Sequence, residues 1–246
     1  MEYDDAIKQE RTRFHEEGQK YRRLVQLARR VHQPTILPLW NLKITTADSE
    51  VKIDRHSYLH SWTRTFYNAY TQYSLYRRYG GHNSPIPNTS VDGGLGLKET
   101  DGTVDTGGFT ANLYPEPLVG GGGYGGDIGD INNGFIAGTG TTAESFDDFV
   151  VESIITHGAG GGQMSYAADT LVKGWDAGDR YKYAQWSRAL TNSSGGTITV
   201  GNVGMVFWSG PGSNLRCFTR EVLSPAQDVL DTEILTFTHE FRMYFP

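Results

Sequence analysis

Ile234-Leu235-Thr236-Phe237-Thr238-His239-Glu240-Phe241-Arg242-Met243-Tyr244-Phe245 is the stretch that decides the fold. Leu235, Phe237, His239, Phe241, Met243 and Phe245 alternate with Thr236, Thr238, Glu240, Arg242 and Tyr244, the period of a strand with one buried face. Upstream, further strand candidates cover 135–137, 149–156, 163–167, 181–190, 197–208 and 215–223, separated by Gly- and Asn-rich turns such as 192–196. Another candidate pair, 36–46 and 51–54, reads as a hairpin turned by Ala47, Asp48 and Ser49. Many short strands of this kind predict a mainly β chain whose body is an antiparallel β-sandwich, jelly-roll-like in type.

Two segments break the β pattern. Residues 3–31 contain no proline and are dense in Glu, Gln, Lys, Arg and Leu, so they predict one long N-terminal α-helix. Ile7, Phe14, Tyr21 and Ala28 recur every seven residues, with Leu24 and Val31 in a second row; Glu10 and Glu17 make the seam too thin for a coiled coil. The expectation is a docking helix. Its assembly residues are read as Ile7, Phe14, Tyr21 and Leu24, together with the basic Arg22, Arg23, Arg29 and Arg30. Tyr58, Trp62, Phe66, Tyr70, Tyr73 and Tyr76 recur at three- and four-residue steps and predict one further amphipathic helix with an aromatic packing stripe. From about 80 to 134, glycine and proline dominate, which reads as an insertion that is either a binding element or a segment clamped between subunits. The expected organisation is a docking helix at 1–33 and a sandwich body at 34–246.

Composition narrows the function. The 246 residues include 31 glycines, above the usual share of about 7%, and carry a formal net charge of −6. That balance weighs against general nucleic-acid binding, although the stretch from 19 to 33 is strongly basic. Cys217 stands alone, so no internal disulfide is available, and its strand-like setting reads as a small buried hydrophobe. No segment has the apolar length of a membrane span or signal peptide.

Motifs for chemistry are weak. Gly120, Gly122 and Gly125 match G-x-G-x-x-G, but more glycine follows where a helix is required, and the run 158–162 lacks the lysine of a phosphate loop. Asp92, Asp101 and Asp105, or Asp127, Asp130 and Asn132, offer calcium oxygens, yet such Asp-Gly and Asn-Gly pieces are turn formers first. His56 and His60, four apart, have no evident third ligand. No serine elbow or catalytic cysteine context appears. The reading is therefore not an enzyme, with no catalytic, cofactor or metal residues assigned.

Three stretches carry a resemblance. Ser61-Trp62-Thr63-Arg64-Thr65-Phe66-Tyr67-Asn68 is the first. The second runs Ile136-Ala137-Gly138-Thr139-Gly140-Thr141-Thr142-Ala143, then Asp147-Asp148-Phe149 and Glu152-Ser153. The third is Thr191-Asn192-Ser193-Ser194-Gly195-Gly196-Thr197-Ile198-Thr199-Val200, followed by Arg220-Glu221-Val222-Leu223-Ser224-Pro225. In this order they resemble minor virion proteins of tailed bacteriophages over about residues 35–246, with Thr65 and Glu221 departing from the pattern. The resemblance implies a non-enzymatic tail, neck or fibre-attachment component, assembled in the host cytoplasm into the virion as a homo-oligomer. Partners would be its own copies and other virion proteins such as capsid, portal or tail, and no cofactor or membrane is implied. Two alternatives differ in site: a receptor- or glycan-binding module using Trp175, Trp186 or Trp208 as stacking platforms, and a capsid-decorating protein.

Overall fold

The computed structural model describes residues 3–32, 35–58, 63, 97–105, 125–208 and 215–245; the side chains of 3–14, 36, 105 and 208 lie outside the description. In chain order the elements are α1 (Tyr3–Arg30), β1 (Thr35–Thr45), β2 (Val51–Tyr58), β3 (Leu97–Lys98), β4 (Val104–Asp105) and β5 (Gly134–Gly138). There follow β6 (Met164–Tyr166), β7 (Thr170–Asp176), β8 (Tyr181–Asn192), β9 (Ile198–Trp208), β10 (Leu215–Val229) and β11 (Ile234–Tyr244). The chain is mainly β, with antiparallel sheets and one helix among the described residues. It divides into two compact units, one of residues 1–60, 158–198 and 227–246, the other of 61–157 and 199–226.

The first unit is built on a six-stranded sheet in the order β2-β1-β11-β8-β6, with β7 also pairing β8. The decisive stretch lies at its centre, between β1 and β8. Directly opposed residues of an antiparallel pair share a face. The registers therefore align Ile44, Leu235 and Leu190 in one row, Leu42, Phe237 and Arg188 in the next, and Trp40, His239 and Trp186 in a third. All nine are buried. Arg188 survives there because its Nε donates to the Ala167 carbonyl at 2.7 Å and its guanidinium lies over the Tyr166 ring at 5.0 Å. A fully buried Phe237 contributes roughly 1.5–3 kcal/mol.

His239 sits in this apolar row with its ring 4.5 Å from that of Phe241, and burial holds its pKa down at about 3. The folded protein keeps the imidazole neutral while the unfolded chain takes up a proton below about 6.5. Stability is thus fully present above that value and falls as pH drops toward 3, by roughly 1 kcal/mol per pH unit. Urea unfolding at pH 7 and pH 5 is expected to show this slope in the wild type, and His239→Phe is expected to flatten it.

The second unit contains most of the sheet β10-β9-β5 and the short β3-β4 pair. Ile136, Val151, Val206 and Cys217 form one buried cluster, and Phe207 stacks on Phe218 with ring centres 5.1 Å apart. Cys217 is fully buried, as its setting predicts, and burial raises its thiol pKa to about 12.

Several expectations need correction. Residues 149–156 do not form a strand; they make an isolated bridge from Ile154 to Gly138, and Ser153 adopts a left-handed φ of 52° that an extended run does not permit. Strand β7 was not expected, because Gly174 interrupts its apolar residues. In the fold Gly174 lies opposite Tyr183, whose ring occupies the space a side chain would fill, with a built Cβ only 2.4 Å from the ring and hydroxyl. The second amphipathic helix falls outside the described residues, except that Tyr58, placed at its start, instead ends β2 and Thr63 has no helical structure. The hairpin at 36–54 does form, as β1 and β2.

Candidate functional site

The helix and the sheet face opposite the apolar rows bound a candidate site, and all of it belongs to the first unit. Gly18 is poor for helix stability but suits this position. A Cβ there would lie 3.1 Å from the Tyr58 hydroxyl, so glycine lets α1 approach β2 closely. One turn on, the Tyr21 ring stacks on Tyr58 at 4.2 Å, and Val25 is buried another turn along. Steps of three and four thus define the docked face. Burial pushes the Tyr58 hydroxyl above its ordinary pKa, against the opposing pull of Arg22.

The docked face only partly matches the expected assembly residues. Tyr21 points inward, whereas Leu24, 47% exposed, faces out with Leu27 at 58% and Val31 at 55%. Arg23 and Arg30 are exposed on the same stretch of helix. Arg22 donates Nε to the Gly18 carbonyl at 3.2 Å. Arg29 donates to the Asp179 carbonyl and lies 6.0 Å from the centre of the Tyr244 ring, pinning the helix end to the β7–β8 turn. The basic last turn also suits the negative end of the helix dipole. The side chains of Ile7 and Phe14 lie outside the described residues.

Between helix and sheet runs a groove of about 890 Å³. Its floor carries Asn41, Gln185, Thr238 and Glu240 from three adjacent strands. Glu240 accepts from Gln185 Nε2 at 3.3 Å and from Arg242 Nε at 2.5 Å. Burial pulls against the charge on Arg242, but the bond to Glu240 outweighs it and holds the guanidinium protonated above its ordinary value. Asn41 donates to Asp54 at 2.5 Å, and His56 Nε2 lies 2.9 Å from the same carboxylate.

A polar clamp closes the second unit. Arg220, buried on β10, donates Nη1 to Asp148 at 2.9 Å, and Nη2 to the Thr142 carbonyl at 2.8 Å and to Glu152 at 3.1 Å. Glu152 also accepts from the Thr142 hydroxyl at 2.8 Å and backbone N–H at 3.0 Å, and those bonds, more than Arg220, hold its pKa below the ordinary carboxylate value. Asn202 on β9 donates to the carbonyls of Gly140 and Glu152, at 2.9 and 3.0 Å. Thr63 donates its hydroxyl to the Cys217 carbonyl at 2.7 Å and its N–H to Phe218 at 3.0 Å. Residues from the quoted resemblance stretches therefore meet along β10.

The other sequence candidates resolve locally. Asp101 accepts from Thr103, and Asp130 from the N–H groups of Asn132 and Asn133, as turn formers do. Among the described residues no three His, Cys, Asp or Glu side chains gather as a metal set. Asp92, His60 and Gly120 to Gly122 lie outside them. Of the tryptophans, Trp186 is buried against Phe241 and cannot stack on a ligand, while Trp175 is half exposed beside Phe245. The side chain of Trp208 is not described. No helix among the described residues is long and apolar enough to cross a membrane. Sequence reasoning missed the groove and the clamp, since each joins residues far apart in the chain. In comparisons with known proteins, the chain matches no protein-family model, no curated protein and no solved structure.

Proposed function

We propose that this chain is a non-enzymatic structural subunit of a tailed-bacteriophage particle, a tail, neck or fibre-attachment component with a sandwich body of the jelly-roll kind. It assembles with its own copies and with other virion proteins. The observation that carries the reading is the outward row Leu24, Leu27 and Val31, set among the exposed Arg23 and Arg30 on a helix whose opposite side is already docked. An apolar row of this kind, bordered by long basic side chains, is the anatomy of a protein contact, where burial supplies affinity and the charged rim supplies orientation. The resemblance adds to it, because four of the residues that carry it, Thr142, Asp148, Glu152 and Arg220, meet in one clamp and so have a shared structural reason to occur together.

The test is assembly. Leu24→Glu combined with Leu27→Glu places two charges in the row without touching Gly18, Tyr21 or Val25. The double variant is expected to keep the wild-type unfolding midpoint while losing incorporation into particles in a complementation assay and shifting to a smaller species by light scattering. Unchanged oligomeric state together with unchanged incorporation would sink the reading. Copy number per particle separates a tail ring from capsid decoration, which requires far more copies.

A further inference from the structure

We propose that the groove between α1 and the polar face of the six-stranded sheet binds a short oligosaccharide bearing a carboxylate. The inference does not rest on the assembly reading: it concerns the inner side of the helix, and assembly uses the outer side.

The volume of about 890 Å³ lies within the range of about 300–1,000 Å³ usual for small-ligand sites. What fills it must satisfy a polar floor. Asn41, Gln185, Thr238 and Glu240 present amide, hydroxyl and carboxylate groups side by side on neighbouring strands, at a strand spacing of about 4.8 Å. These groups already pair within the sheet, Gln185 with Glu240, Asn41 with Asp54 and Thr238 with Ser187, and the donor and acceptor capacity they keep on rigid strands matches the alternating hydroxyls of a sugar ring. The walls supply the complementary apolar surface, since the rings of Tyr21, Tyr58 and Tyr244 line the groove.

Charge selects the acidic sugar. Arg242 is engaged by Glu240, and His56 by Asp54. Arg22 has no carboxylate partner among the described residues; its one hydrogen bond is to its own helix. Arg29 gives one amino group to the Asp179 carbonyl, and its Nε is buried without a hydrogen-bond partner among the described residues. Two guanidinium groups about two helical turns apart thus border the groove with donors to spare, and a planar fork is the geometry that takes a carboxylate bidentately. A nucleic acid fits less well, because its regular phosphates would meet Glu240 on the floor and Asp54 close by, in a chain of net charge −6.

The experiment titrates the full-length chain with trigalacturonate, maltotriose and a single-stranded oligonucleotide, followed by calorimetry and by amide resonances. Trigalacturonate is expected to bind and to move the resonances around Arg22, Gln185 and Thr238, while maltotriose binds at least about tenfold more weakly, the worth of one charge-assisted hydrogen bond. Arg22→Gln, on the exposed helix surface, is expected to weaken the uronate by about the same factor. Thr238→Phe, which fills the groove from its floor, is expected to abolish binding. Circular dichroism melting curves matching the wild type establish that each variant is folded. Absence of trigalacturonate binding at millimolar concentration, equal binding of maltotriose, preference for the oligonucleotide, or indifference to both folded variants would each overturn the proposal.

Discussion

Arg220→Met is expected to destabilise the second unit by about 3–5 kcal/mol, the usual cost of removing one partner from a buried ionic network. Methionine keeps much of the aliphatic stem, so the loss reports the guanidinium and not a cavity. Four acceptors lose a hydrogen bond from the guanidinium at once: Asp148, Glu152, the Thr142 carbonyl and Asn202 Oδ1. The segment 139–152 would lose its guanidinium tie to β10 and keep the contacts of Asn202, of the Glu144 carboxylate on the Val222 N–H, and of Val151 in the apolar cluster. Denaturant titration measures the stability, and hydrogen exchange is expected to show faster exchange at Thr142 and Val222 than in the first unit. The clamp also has a pH signature. A carboxylate such as Glu152, held below its ordinary pKa, adds stability that is present at neutral pH and lost on acidification, and this part is expected to shrink in the variant. A loss under about 1 kcal/mol would mean that the apolar cluster alone holds the segment.

Gly138→Ala is the second large effect. A Cβ at this position would sit 2.1 Å from the Glu152 carbonyl oxygen and 2.9 Å from Asn202 Nδ2, and the first of these is backbone. Relief requires separating two segments tied by Thr139 N–H to Ser153 at 3.0 Å and Ile155 N–H to Ala137 at 2.9 Å. The expected cost is at or above the top of the roughly 1–3 kcal/mol range for overpacking. Gly161→Ala is the control, because nothing lies within 4 Å of its Cβ and its backbone angle is ordinary. That change is expected to stay within about 0.5 kcal/mol of wild type, as surface substitutions do. Comparable losses for both glycines in denaturant unfolding would refute the steric account.

Much of the β framework was legible because alternation is a property of neighbouring residues. Leu235, Phe237 and His239 face the core as their spacing predicts, and the β1–β2 hairpin turns at 46–50 where Ala47, Asp48 and Ser49 stand. Legibility failed where a residue's conformation is set by something distant. Phe149 to Thr156 has strand composition, but Glu152 is drawn into the Arg220 clamp, and the next residue, Ser153, turns left-handed. Trp186 looks like a stacking platform in sequence, yet its place opposite His239 puts it in the core.

Helix α1 separates the two kinds of information most clearly. Its existence, length and basic end follow from residues 3–31 alone, since helix propensity and dipole compensation act within a few turns. Which side docks does not follow. Heptad spacing pointed to Tyr21 and Leu24 together, but a helix buries whatever its neighbour can accommodate, and the neighbour is Tyr58, which leaves little room at position 18 and meets the ring of Tyr21. The order of amino acids by itself determined most of the long strands, the helix and the inward face of β11, because each is written in short-range periodicity. Only the tertiary structure decided the groove, the outward turn of Leu24 and the gathering of Thr142, Asp148, Glu152 and Arg220, because contacts across up to 78 residues leave no period in the chain to read.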